Sequence, residues 1–243
     1  MTALVVVNSD CSKLSNMLTT IYKFFEVKTI AITLKNIDTL YNITMKLIII
    51  DGGPASGKNT LGVLLSKKFR KLGSKAMLLD LDTYVEQLNP KWIWGNKQQE
   101  NKDQLKAREN FAKDIKKYLQ DDFIVIVIGE RFLTKNDLSA FLSKLEIFCH
   151  VYLYHLSIPL SLRKQRLHDR GPHSLIDLEK DQKDRDEVKV WPGYIYENIN
   201  SPEEDAINLF RLIQNKKGII DININKINTL KNNLLKIMQN SNK

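Results

Sequence analysis

Blocks of apolar sequence alternate with amphipathic blocks along most of the chain. Residues 47–51 form a short apolar run that stops at glycine, and 60–72 repeats apolar positions at helical spacing until Gly73. The same beat recurs downstream. Strands are predicted over 76–81, 123–128 and 147–156, and helices over 102–119, 137–145 and 160–170. Leu105, Phe111, Ile115 and Leu119 fall near one face of the helix over 102–119. Gly171-Pro172 closes the 160–170 helix with a residue pair that cannot continue it. Residues 174–189 are highly charged yet helical in pattern. Ser201-Pro202-Glu203-Glu204 opens another helix, with Pro in the first turn and acids at the positive end. A last strand is predicted over 218–222 and a last helix over 227–239.

Strands alternating with helices predict an α/β chain, a mostly parallel sheet flanked by helices on both faces. The strand at 123–128 is apolar throughout, as a strand buried on both sides must be. Residues 1–44 carry a β-α-β pattern of their own, with strands over 4–7 and 27–33. They read as an N-terminal extension of unassigned role ahead of a domain spanning 45–243.

The junction after the first core strand carries the chemistry. It reads Asp51-Gly52-Gly53-Pro54-Ala55-Ser56-Gly57-Lys58-Asn59-Thr60, a G-x-x-x-x-G-K match in strand–loop–helix context. Gly57 lets the backbone curl so that successive amide N–H groups converge on a phosphate. The helix that follows presents its positive end, and Lys58 adds a mobile cation. The residue after the lysine departs from the pattern. Asn59 stands where a hydroxyl would hold magnesium, and Thr60 is the next hydroxyl along. The loop therefore predicts ATP bound by Gly52, Gly53, Pro54, Ala55, Ser56, Gly57, Lys58, Asn59 and Thr60, with Thr60 toward Mg2+.

This loop resembles that of nucleoside-monophosphate kinases, with Ala55 and Asn59 in place of two family glycines. It is also similar to the G-G-x-A-S-G-K loop of uridine kinases. The segment from Asp82 to Pro90 is similar to the one after the second strand in chloramphenicol phosphotransferases, which implies that Asp82 is the base. From about residue 46 to 240 the chain resembles the P-loop kinase superfamily and its three-layer sandwich.

Other candidates follow from position. Sheets of this kind bind ligands beyond the carboxyl ends of their strands. Asp80, Asp82, Glu130 and Arg131 emerge there and are read as acceptor-side residues, with Asp82 also toward magnesium. A helix cap is the competing role for Asp82. Arg163, Arg166 and Arg170 recur at spacings of three and four, so they share a helix face ahead of a charged segment. That is the layout of a nucleotide-kinase lid, here at about 163–190. Arg163 and Arg166 are assigned to the transferring phosphoryl group, and Arg166 and Arg170 to ATP; Arg185 is weighed evenly. Tyr84, Trp92 and Trp94 fit either stacking on an acceptor or local packing. His150, His155, His168 and His173 are too scattered for a metal site and read as structural.

Composition narrows the setting. Over 243 residues the net charge is +9, but the lysines are scattered rather than confined to one stripe. A nucleic-acid partner is therefore open but not favoured, and a small-molecule acceptor is. Charges interrupt every apolar run, so no membrane span is expected. Cys11 and Cys149 fit neither a metal spacing nor a disulfide framework, which points to a reducing cytoplasm. The function expected is an ATP- and magnesium-dependent phosphotransferase acting on a nucleoside, nucleotide or related metabolite. A polynucleotide 5′-hydroxyl kinase and a non-catalytic nucleotide-binding regulator are the alternatives.

Overall fold

The computed structural model describes residues 45–93, 95–147, 149–169, 171 and 177–220. The strands expected in 1–44, the helix expected over 227–239, Trp94, Arg170, His173 and Cys11 lie outside them.

Strand β1 (Lys46–Gly52) sits at the centre of a six-stranded sheet. It pairs in parallel with β3 (Ile124–Ile128) on one side and β4 (His150–Ser157) on the other. Strand β2 (Ala76–Asp80) pairs in parallel with β3 and forms one edge. At the other edge two short strands share β4. β5 (Tyr194–Glu197) runs parallel to its upper half and β6 (Ile219–Ile220) antiparallel to its lower half. The order is β2-β3-β1-β4-β5.

Helices cover both faces, which explains the apolar runs. Leu47 and Ile49 of β1 point with Val125, Val127 and Leu153 toward α3 (Lys97–Gln120) and α4 (Lys135–Leu145). Ile48 and Ile50 point the other way, with Ile126, Tyr152 and Tyr154, toward α1 (Lys58–Lys71) and α7 (Pro202–Gln214). Strand alternation makes this division automatic. Every apolar side chain of β1 is fully buried, at roughly 1.5–3 kcal/mol each.

Several boundaries differ from the sequence reading. The second strand ends at Asp80, and α2 (Leu81–Leu88) begins at once. Leu105 is 56% exposed; the buried stripe of α3 runs instead through Ala107, Phe111, Ile115 and Leu119. Helix α5 (Leu160–His168) ends two residues early, with Gly171 in the left-handed region. Only part of the charged segment 174–189 is described as helical, α6 (Leu178–Asp186). β5 is a strand that the sequence reading lacks.

Candidate phosphate-binding site

Gly57 stands at the N-cap of α1 with φ 90 and ψ 8, a left-handed conformation that suits glycine. No side chain caps this helix, and no acid lies in its first turn. Five other helices start on a side-chain cap: α2 on Asp80, α3 on Asn96, α4 on Thr134, α6 on Asp177 and α7 on Ser201. The leading amides of α1 are thus left for an anion. Ala55 is also left-handed, at φ 58, at a position where the resembling kinases carry glycine.

Neighbours fix the loop's shape. Ser56 N–H donates to Gly53 O at 3.2 Å, and Asn198 Nδ2 donates to Ser56 O at 2.7 Å. A side chain at Gly57 would meet the Asn198 amide; one at Gly53 would meet Asp181 and Arg163. Ser56 Oγ is buried, with no hydrogen-bond partner among the described residues. Lys58 Nζ folds back to donate to Gly53 O at 3.3 Å. Burial pushes the Lys58 pKa down. Asp82, Asp51 and Asp80 pull against that shift, while Arg185 adds to it. Uncapped amides, an orphan hydroxyl, a glycine cradle and a half-buried cation all fit the phosphates of ATP.

On one flank of the loop stands an acidic group. Asp80 Oδ1 accepts from Asp82 N–H at 3.1 Å and caps α2. The cap weighed for Asp82 therefore belongs to Asp80. The other Asp80 oxygen accepts from Asn59 Nδ2 at 2.9 Å. The Asp82 carboxylate reaches solvent, yet its pKa is raised. Crowding by protein is the largest cause, followed by the negative charges of Asp80, Glu130 and Glu86; Lys58 opposes them. Glu130 Oε1 accepts from Arg108 Nε at 2.8 Å, whereas Arg131 Nη2 donates to Asp184 Oδ2 at 3.0 Å. The neighbouring pair thus separates onto different helices. Thr60 is exposed in the first turn of α1.

The opposite flank is closed. Asp51 and His155 face each other in the β1–β4 ladder, with His155 Nδ1 2.8 Å from Asp51 Oδ2. Both are buried. Arg185 of α6 donates to Asp51 Oδ1 at 3.2 Å and Oδ2 at 3.4 Å. Burial alone would raise the Asp51 pKa. The His155 hydrogen bond and the Arg185 charge overcome it and hold the carboxyl below its ordinary value. Arg163, 3% exposed, braces the loop: Nε donates to Pro54 O at 3.0 Å and Nη2 meets Asp181 Oδ2 at 2.6 Å. Arg185 Nε also reaches Asp181, at 3.2 Å. Arg166 points elsewhere. Its Nη1 would lie 3.5 Å from a Cβ placed on Gly57, over the turn of the loop.

Of the predicted residues, the structure gathers Lys58, Asn59, Thr60, Asp80, Asp82 and Arg166 around one loop. It places Glu130 in an ion pair beside them. Arg131 and Arg163 enter the closed flank. Tyr84 donates to Asp114 Oδ2 at 2.7 Å and stacks edge-on with Phe111, which is packing. Trp92 packs against the core. The sequence reading did not single out Asp51, Arg108, Asp181 or Asn198, and it gave His155 no partner. The one available signal was an acid ending an otherwise apolar strand. Among the described residues no cluster of three or more His, Cys, Asp or Glu could hold a metal, and no helix is long and apolar enough to cross a membrane.

The comparisons agree with this geometry. The family described as chromatin associated protein KTI12 matches residues 45–130, from β1 to just past β3. Among solved structures, a proposed kinase from Chloroflexus aurantiacus has a TM-score of 0.50 at 17% identity, over 71% of this chain and 96% of that one. The tunicamycin resistance protein of Deinococcus radiodurans also has a TM-score of 0.50, at 11% identity over 72% and 98%. The Mycobacterium tuberculosis APS kinase CysC, solved with AMPPNP and APS, has a TM-score of 0.49 at 16% identity over 70% and 97%. Comparison with curated proteins gives no match. The protein has the mostly parallel α/β fold of these P-loop kinase-like structures.

Proposed function

We propose that the chain is an ATP- and magnesium-dependent phosphotransferase acting on a small hydroxyl- or phosphate-bearing acceptor. One observation carries the reading. The half-buried Lys58 of an anion-ready loop shares its electrostatic surroundings with an accessible carboxylate, Asp82, whose pKa is raised. A cation for phosphates and a proton acceptor stand side by side. Bound ATP and Mg2+ would supply the phosphoryl group and part of the charge neutralisation. Thr60 and the carboxylates of Asp80 and Asp82 are the residues available to the metal and its water. Lys58 and Arg166 would balance charge on the phosphates. Asp82 would take the proton from an acceptor hydroxyl, a task suited to a carboxylate whose pKa is raised. Arg170 would belong to the lid at about 163–190. Residues 1–44 would form a separate extension.

The experiment is a screen of nucleosides, nucleotides, sugars and short oligonucleotides for acceptor-dependent ADP release. Release that no acceptor accelerates would defeat the phosphotransferase reading.

A second reading has a specific observation behind it. Asn59 ties the first turn of α1 to Asp80 at 2.9 Å, where kinases of this kind leave room for magnesium chemistry. Together with the match to a family described as chromatin associated, this favours a nucleotide-binding regulator. Asn59→Gly separates the two. It should raise turnover in a kinase hampered by that tie and leave a regulator inactive.

A further inference from the structure

A cavity of about 160 Å³ opens between Gly53 of the loop, the end of β4 and α6. That is far more than the roughly 10–15 Å³ that seats one water. His155, 2% exposed, lines it. Asp51 engages His155 Nδ1, and Nε2 is buried with no hydrogen-bond partner among the described residues. A buried ring nitrogen left unpaired is unfavourable, and a ligand that satisfied it would gain accordingly.

The surroundings specify that ligand. An ionised carboxylate only accepts, so Asp51 takes up Nδ1–H and leaves Nε2 as the ring nitrogen facing a ligand. A hydroxyl, which both donates and accepts, suits it. Two guanidinium groups line the cavity, but their charges are already met, Arg163 by Asp181 and Arg185 by Asp51. Asp186 in the wall adds uncompensated negative charge. An anion therefore finds no free cation here. Trp191 lies 4.3 Å from the His155 ring, centroid to centroid, and under the Arg185 guanidinium. With Ile195 it gives the cavity an apolar side.

We propose that this cavity binds an uncharged, hydroxyl-bearing small molecule, whose hydroxyl hydrogen-bonds to His155 Nε2 while its carbon body lies against Trp191 and Ile195. The site is separate from the anion-ready face of the loop and needs no nucleotide.

Saturation-transfer NMR on the full chain, without nucleotide, tests it with matched pairs: uridine and uridine monophosphate, ribose and ribose 5-phosphate, inositol and inositol monophosphate. Two variants define the cavity signal. Ile195→Trp fills the space from a position that is 51% exposed, so the core is untouched. His155→Asn keeps a donor facing Asp51 and removes Nε2. At least one neutral compound should bind, about tenfold or more weaker in either variant, as loss of one buried hydrogen bond implies. Its phosphate should show no signal that Ile195→Trp removes. The proposal is overturned if no neutral compound binds at millimolar concentration, if binding survives both variants, or if the phosphate is preferred at the cavity.

Discussion

The two flanks of the phosphate loop are both built from ionisable side chains and differ in how their charges are matched. On the β4–α6 side, Asp51, His155, Arg185, Asp181 and Arg163 form a continuous chain of contacts, nearly all of it out of water. On the β2–β3 side, Asp80, Asp82, Glu86 and Glu130 crowd together, answered by Arg108 and the neighbouring Lys58. Balanced, buried charge holds shape, because breaking any one pair would leave a buried charge without its partner. Unbalanced charge at the solvent boundary shifts pKa values and leaves groups able to exchange protons or meet metal. The loop lies between a rigid wall and a reactive one.

The comparison breaks most readily at Asp51. Asp51→Ala leaves Arg185 and His155 buried without their acceptor, and should destabilise the fold by about 3–5 kcal/mol, read as a lower denaturant midpoint. The acid response sharpens this. A carboxyl with a depressed folded pKa contributes stability above its unfolded value, near 3.9, and loses it as pH falls through the lower folded one. The wild-type protein should therefore lose stability steeply below about pH 4, and Asp51→Asn, already weaker at neutral pH, should show a flatter acid limb.

Lys58→Ala comes next. Phosphoryl transfer should fall by roughly 10²–10³, the usual consequence of losing one charge-stabilising group, with melting temperature little changed. Turnover near that of the wild type would mean the loop is not the catalytic site.

Asp82→Asn tests the reactive wall. An acid with a raised folded pKa loses stability as pH rises from its unfolded to its folded value, so its charge opposes folding at neutral pH. Removing that charge should leave stability equal or slightly higher. Turnover should drop about 10²-fold or more if Asp82 is the base. Because Asp80 is the helix cap, capping cannot explain a loss here.

The smallest effect is expected at Ala55. Its left-handed φ of 58 is strained by roughly 1–2 kcal/mol, and glycine relieves it at an entropic cost of about 0.4–1 kcal/mol. Ala55→Gly should stabilise by up to about 1 kcal/mol. A lower melting temperature would show that the strain is not borne at this residue.

The reactive wall was more legible in the sequence than the rigid one, for a physical reason. Asp80 ends a strand and Asp82 follows just beyond it, and Lys58 sits in a motif, so local order placed them. Asp51 and His155 are 104 positions apart and meet only because β4 is laid beside β1. Alternation says which face a side chain takes, but it does not say which strand lies next to it. The helix over 160–170 was foreseen with its three arginines on one face. Yet Arg163 turns into the protein and Arg166 toward the loop, since a helix face is wider than any one partner. β5 escaped notice because Tyr-Ile-Tyr-Glu is four residues long and half exposed, too brief for its pattern to stand out.

Gly53 has a consequence for descent. The space its missing side chain leaves is filled by Asp181 and Arg163, which lie 128 and 110 positions further along the chain. A lineage in which position 53 gains a side chain would have to move the ends of Asp181 and Arg163 aside, and with them the hold of Arg163 on Pro54. The second residue of the phosphate loop is thus constrained by two helices that lie far from it in sequence.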